Sequence, residues 1–357
     1  MKAPGCGVST PLRNNGGSQF MIQKSCQSKQ PTRAAWTMEH LLVERSINLG
    51  LALDASTHQT YSSLLNSYLT FCELHHLDIE LTTQTLSLYI TFMVHHIEPR
   101  SVRTYLTGIV SELEPFYPSV RDARNSSLVS CTLHRAMHHF SQPVHQKIPL
   151  TRDDLCHVHD ALPQPLAHDN LLFLSLLFTG FFGLLRLGEL VQSDSSSLRS
   201  SLKSSWCHSV ILSSSSYQFS ILRSKLDMCF EGDLIVIQTS RLHPDPLGLF
   251  VSYLASCDTQ FPLFPYLWLK ADGSAPWRSW FLHRLHSFFP RAVGSHSMLA
   301  GGATSLAAAG VPSSQIQAIS QWNSAAFEHY IRRHPTLLQA ILFQGHSVHD
   351  PPFARVF

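Results

Sequence analysis

The stretch Asn170 to Leu190, NLLFLSLLFTGFFGLLRLGEL, is the most apolar in the chain and delivers a single cation, Arg186, near its end. A membrane span needs about 20 consecutive apolar residues. The run from Leu171 to Leu185 stops short of that and is broken by Ser175, Thr179, Gly180 and Gly183. It therefore reads as a core helix, which needs a domain large enough to wrap it. A length of 357 residues and a 44% hydrophobic content provide that, with room for two domains and tails. Arg186, set among Leu184, Leu185 and Leu187, is unfavourable to bury without a partner. Glu189, three residues on, is one candidate; a phosphate, whose oxygens match the guanidinium fork, is the other.

Residues 1–35 are rich in Gly, Ser, Gln and Asn, and Lys2, Arg13, Lys24, Lys29 and Arg33 are spread through them without apolar periodicity. They read as a flexible basic tail, either a solvated leader or an aid in holding a phosphate backbone. Residues 36–140 are helical in pattern. Tyr61, Leu64, Leu65, Tyr68 and Cys72 recur at three and four after the cap candidates Ser56 and Thr57. Helices are also predicted over Thr82–His95, Arg100–Leu113 and Ser127–Phe140, with Val102, Leu106, Ile109 and Leu113, then Val129, Leu133 and Met137, turned inward. Residues 141–150 form a linker, and Thr151 with Asp154 makes a capping box that opens the next domain, 151–335.

Past a serine-rich loop, alternating segments at Ser209–Ser213, Gln218–Leu222 and Asp233–Ile237 predict a small antiparallel sheet, with Arg223-Ser224-Lys225 after the middle strand. Helices over Pro246–Ser256 and Trp277–Phe289 follow, the second with Trp280, Leu282, Leu285 and Phe288 at core spacing. The expected fold class is mainly α: an N-terminal helical bundle, then an α+β domain with a small antiparallel sheet.

A net charge of +2 is too small to announce a nucleic-acid partner by itself, although 22 histidines can add charge locally. The 8 cysteines contain no C-x-x-C pair, which argues against a zinc module or a disulfide framework and for a reducing compartment. The polar N-terminus, broken by Gly and Pro, lacks an apolar signal-peptide core. Neither a secreted nor a membrane location is expected.

From Ser295 to Pro335 the chain reads SHSMLAGGATSLAAAGVPSSQIQAISQWNSAAFEHYIRRHP. His296 precedes the pair Gly301 and Gly302, which run into a small-residue helix expected over Ala303–Ala309 and ended by Gly310 and Pro312. A second helix starts at Ser313 or Ser314, with Ile316 and Ile319 on one face. Trp322 follows. A last helix near Ala325–Arg333 carries Tyr330 on the face of Phe327. Taken with Arg186 and the Gly188-Glu189-Leu190 that follows it, this stretch resembles the two signature boxes of the tyrosine recombinases, the phage-integrase-like DNA breaking and rejoining enzymes. The resemblance covers about Thr57 to Pro335, strongly at the boxes and weakly in the helical bundle.

The resemblance implies that residues 36–140 are a core-binding domain closing with the catalytic domain around double-stranded DNA. Arg100, Arg103 and Thr104 would face its backbone, unless they are simply a solvated helix face. It implies Tyr330 as nucleophile, Arg186 as phosphate clamp, Lys225 in the RSKLD phrase as proton donor, and His296 and Trp322 as assisting groups. Arg332 and Arg333 would contact phosphates. No metal and no nucleotide cofactor is implied. Residues 336–357, with the apolar Leu337–Phe343, would dock on a neighbouring protomer during self-association on DNA. A mobile-element origin, and a nuclear location in a eukaryote, follow from the same likeness.

One position departs sharply. Leu299 stands where the family carries an arginine three residues after the histidine, and Ser320-Gln321 replaces the common pair before Trp322. Arg291 and Arg333 are nearby cations, but neither matches the family position. An enzyme impaired in cleavage, a DNA-binding remnant, a type IB topoisomerase relative and an unrelated helical protein are the readings to separate.

Overall fold

A computed structural model of the chain describes residues 10–13, 19–22, 33–51, 54–143, 147–201, 204–222, 232–240 and 243–320. Lys225, Trp322, Tyr330, Arg332 and Arg333 lie outside them, as does the helix expected near Ala325–Arg333. The described chain is mainly helical with one small three-stranded antiparallel sheet, as the residue patterns predict. It divides into two compact units, Met1–Ile79 with Tyr105–Pro118, and Glu80–Thr104 with Ser119–Phe357.

In the first unit a short hairpin pairs β1 (Thr10–Arg13) with β2 (Gln19–Ile22), inside the stretch expected as a tail. Helix α1 (Met38–Leu51) is started by Thr37, whose side chain accepts from His40 N at 3.1 Å. Helix α2 (Ala55–His75) has Asp54 as its N-cap rather than Ser56 or Thr57, and the Asp54 carbonyl takes both Thr57 N and His58 N. Its apolar stripe, Leu64, Tyr68, Phe71 and Cys72, is buried. That stripe lies close to the later part of α4 (Pro99–Leu113), where a methyl group on Gly108 would come within 2.7 Å of Leu64 Cδ1. Leu106, Ile109 and Leu113 of α4 are buried as their spacing predicts.

The second unit opens with α3 (Thr83–Met93), capped by a reciprocal Thr82–Thr85 box. Leu86, Tyr89, Ile90 and Met93 are buried on it, and it packs on α6 (Ser127–Phe140), which follows the short α5 (Val120–Asn125). On α6 the buried residues are Val129, Leu133 and Ala136; Met137 is only half-buried, where Arg103 Nη2 reaches its sulfur at 3.2 Å. Helix α7 (Arg152–Asp160) begins at the expected capping box: Thr151 N donates to Asp154 Oδ2 at 2.7 Å and Asp154 N to Thr151 Oγ1 at 3.1 Å.

Helix α8 (His168–Phe182) is the buried helix that the apolar run predicts. Against it pack α7, α10 (Pro246–Gln260) and α12 (Ser297–Ala308). The sheet orders β3 (Ile211–Leu212), β4 (Ser216–Ile221) and β5 (Asp233–Gln238), with Gln218 opposite Val236. Strict alternation puts Tyr217, Phe219, Ile221, Ile235 and Ile237 into the core and leaves Leu234 and Val236 exposed. Tyr217 stacks on Phe250 and shares a 2.8 Å hydrogen bond with Thr179 in the last turn of α8.

The remaining helices shift the expected boundaries. The α11 helix (Arg278–Leu285) is shorter than Trp277–Phe289, and its deepest side chains are Phe281 and Leu285, with Trp280, Leu282 and Phe288 only partly covered. The α12 helix starts at Ser297 rather than Ala303, so Gly301 and Gly302 lie inside it. Gly310 ends the segment at φ +81° as a left-handed residue, the geometry expected of a terminating glycine. In α13 (Ser313–Ser320) Ile316 is buried while Ile319 is exposed. Among the described residues, no helix is long and apolar enough to cross a membrane.

Candidate phosphate-binding site

Arg186 is placed by the end of α8. Gly183 N donates to Thr179 O at 2.9 Å, Leu184 turns into the left-handed region at φ 52°, and Leu185 N returns to Gly180 O at 3.0 Å. Arg186 leaves that turn extended and caps the short helix α9 (Leu187–Leu190). Its backbone N donates to Glu189 Oε2 at 2.7 Å and its Nη1 to Oε1 at 3.0 Å. Glu189, the partner that the sequence offers three residues on, is thus engaged. One guanidinium N–H is committed to Glu189, and the side chain keeps 24% exposure against 10% for Glu189. The fork retains further donors, so the pair holds the arginine in place without consuming it.

His296 is exposed at the N-terminus of α12, and the start of that helix is fastened to the Arg186 turn by small residues. A methyl group on Gly302 would overlap the Phe181 carbonyl oxygen, and one on Gly301 the Leu150 carbonyl oxygen. One on Gly180 would come within 2.8 Å of Met298 Sδ. The two boxes therefore interlock: Met298, two residues after His296, sits on Gly180, while Leu184, two residues before Arg186, sits by Gly302. The linker adds a strap, with Ile148 N donating to Ala292 O and Leu150 N to Ser297 O, both at 3.0 Å, and Lys147 Nζ to Arg291 O at 2.7 Å.

Leu299 is 2% exposed, so the position where the family resemblance expects a cation faces the interior. Arg291 is exposed. Arg100, Arg103 and Thr104 are all exposed on α4, opposite the buried Val102 and Leu106.

A further arginine belongs to the neighbourhood. The segment leaving α9 pairs with the start of α11, Gln192 N donating to Pro276 O at 2.9 Å and Arg278 N to Gln192 O at 3.0 Å. From there Arg278 Nη2 reaches Ser295 Oγ at 2.9 Å, next to His296. Ser279 N caps onto Asp194 Oδ1, and those Ser279 hydrogen bonds, with the Arg278 and Arg199 charges, hold the Asp194 carboxyl below its ordinary range. Trp277 lies under Lys270 Nζ at 3.7 Å and Arg199 at 5.5 Å. No sequence signal marks Arg278, because its partners are 86 and 17 positions away in the chain, beyond any helical or strand period. Among the described residues, no group of three or more His, Cys, Asp or Glu side chains could hold a metal ion.

No protein-family profile and no curated protein sequence matches the chain. Solved structures do. A lambda integrase dimer bound to a COC′ core site aligns over 82% of this chain and 94% of its own, at 14% identity and a TM-score of 0.51. The chain has the tyrosine-recombinase fold. XerH site-specific recombinase bound to difH substrate in a pre-cleavage complex aligns over 80% of this chain and 77% of its own, at 13% identity and a TM-score of 0.51. The post-cleavage XerH complex with palindromic difH gives 11% identity and a TM-score of 0.50 over the same shares. At such identities the likeness to the tyrosine recombinases is one of fold.

Proposed function

We propose that the chain is a DNA-binding protein of the tyrosine-recombinase type, acting on double-stranded DNA in recombination and integration, with strand cleavage impaired at Leu299. The observation that carries this reading is the interlock of the Arg186 turn with the His296 helix through Gly180, Met298, Leu184 and Gly302. It supports the reading because phosphoryl transfer depends on rigid placement of charge-stabilising groups. The matched integrase and XerH structures, bound to their own DNA sites, support it by analogy of fold.

In this reading the Tyr330 hydroxyl attacks a backbone phosphate, forming a 3′-phosphotyrosyl bond and releasing a 5′ hydroxyl. Lys225 gives the leaving oxygen its proton and His296 assists removal of the tyrosine proton. Arg186 holds a non-bridging oxygen, and Trp322 packs or hydrogen-bonds beside it. The phosphotyrosyl bond conserves the energy for rejoining, so no nucleotide cofactor is required. Arg100, Arg103, Thr104, Arg332 and Arg333 hold flanking phosphates. Protomers associate on DNA, with residues 336–357 reaching a neighbour. A mobile-element origin, and a nuclear site of action in a eukaryotic host, complete the proposal. Loss of one preorganised donor typically lowers the rate by about 10²–10³, which is the impairment assigned to Leu299.

A second reading, DNA binding without cleavage, is favoured by the burial of Leu299, an apolar side chain at the position where the resemblance expects a cation. Binding of duplex DNA measured across a salt series tests what the two readings share. Affinity falling steeply with salt is expected, because phosphate contacts release counterions. Absence of binding at low salt would remove both.

A further inference from the structure

We propose that Arg278 is a second guanidinium of this site and grips the same phosphate as Arg186. The inference rests on the DNA-binding reading above and adds to it a residue that neither box contains. Its backbone is hydrogen-bonded at 3.0 Å to Gln192, two residues past α9, which Arg186 caps. Its side chain crosses to Ser295, adjacent to His296. Arg278 thus spans the gap between the two segments that Gly180–Met298 and Leu184–Gly302 bring together.

Its chemistry suits a phosphodiester. Arg278 is exposed and donates one N–H to Ser295, leaving other donors of the fork for an anion. Asp194, held anionic by the Ser279 hydrogen bonds and by the Arg278 and Arg199 charges, divides its field between two arginines, and among the described residues the Arg278 side chain donates to Ser295 rather than to a carboxylate. Arg186 is half-committed to Glu189, and Leu299 faces inward. A phosphate seated beside His296 has two non-bridging oxygens, and Arg186 and Arg278 approach it from opposite segments.

The test is a double-mutant cycle on the full chain, using a short fluorescent duplex of random sequence at fixed low salt, with thermal melts to establish that each variant folds. Arg278→Ala and Arg186→Ala are each expected to weaken binding roughly ten-fold, as loss of a charge-assisted phosphate contact does. Because both hold one phosphate, the double variant is expected to fall well short of the hundred-fold product. Arg186→Lys, which keeps a cation beside Glu189, serves as the second cycle where the alanine variant melts early. Arg278→Lys is expected to recover much of the affinity. If wild type binds but Arg278→Ala binds equally well, or the two losses multiply fully, Arg278 does not share the phosphate and the inference falls alone. If wild type does not bind, the functional reading falls and takes the inference with it.

Discussion

Arg186 donates to Glu189 twice, from its backbone N to Oε2 at 2.7 Å and from Nη1 to Oε1 at 3.0 Å. The carboxylate is the more buried partner, so removing its charge weakens the hold on Arg186, while the Leu185–Gly180 hydrogen bond still closes the turn. Glu189→Gln is expected to lower stability by about 1–2 kcal/mol, the scale of a partly screened ion pair with a shared backbone hydrogen bond. Urea unfolding monitored by circular dichroism checks this; an unchanged midpoint would mean that the turn is held without Glu189.

Gly302 faces the Phe181 carbonyl, and a backbone oxygen cannot swing aside as a side chain can. Gly302→Ala is therefore expected to destabilise by about 1–3 kcal/mol or more. Gly188→Ala, where nothing lies within 4 Å of the added methyl, is expected to be neutral or slightly stabilising. Comparing the two urea midpoints separates close approach from a general intolerance of alanine.

These glycines also mark where the residue pattern was readable and where it was not. The buried helix α8, the Thr151–Asp154 box and the alternation of β4 and β5 were legible because local periodicity and capping chemistry express them. Glycine punctuates chains, so the residue pattern places Gly301 and Gly302 ahead of a helix; they lie within α12, where the Leu150 and Phe181 carbonyls come too close for any side chain. In α11 the core face passes through Phe281 rather than Trp280, a choice made by packing against Phe173 and not by spacing. The position of Leu299 was legible from its distance to His296, whereas its burial and the reach of Arg278 are tertiary facts.

His76 ends α2 in the left-handed region at φ 52°, with Leu77 N closing onto Cys72 O at 2.9 Å. A glycine takes this conformation without strain, and the imidazole is exposed. His76→Gly is expected to stabilise the chain by up to about 1 kcal/mol, read as a raised melting temperature. A lowered one would assign the ring a packing role.

The Tyr217 and Tyr253 phenols are buried, and that burial pushes both above the ordinary value of 10.0. A group whose folded pKa is raised stabilises the fold fully below its unfolded pKa and loses that contribution as pH rises toward the folded one. The buried Cys207 thiol shifts the same way from 9.0, so stability is expected to begin declining above about pH 9, where unfolded thiols ionise, and to fall further as the tyrosines follow. Burial likewise raises the Cys207 thiol to about 11, so Cys207 is expected to alkylate far more slowly at pH 8 than the exposed Cys131. Peptide-resolved mass spectrometry after timed iodoacetamide treatment measures the ratio, and equal rates would contradict the packing around Cys207.

The most direct test of the functional account is covalent capture on nicked suicide duplexes tiling the DNA that flanks the coding sequence. A slowly formed protein–DNA adduct is expected, one that disappears in Tyr330→Phe while duplex binding persists. An adduct that survives Tyr330→Phe, or none at all from protein bound to the same DNA, would contradict tyrosine chemistry at this site.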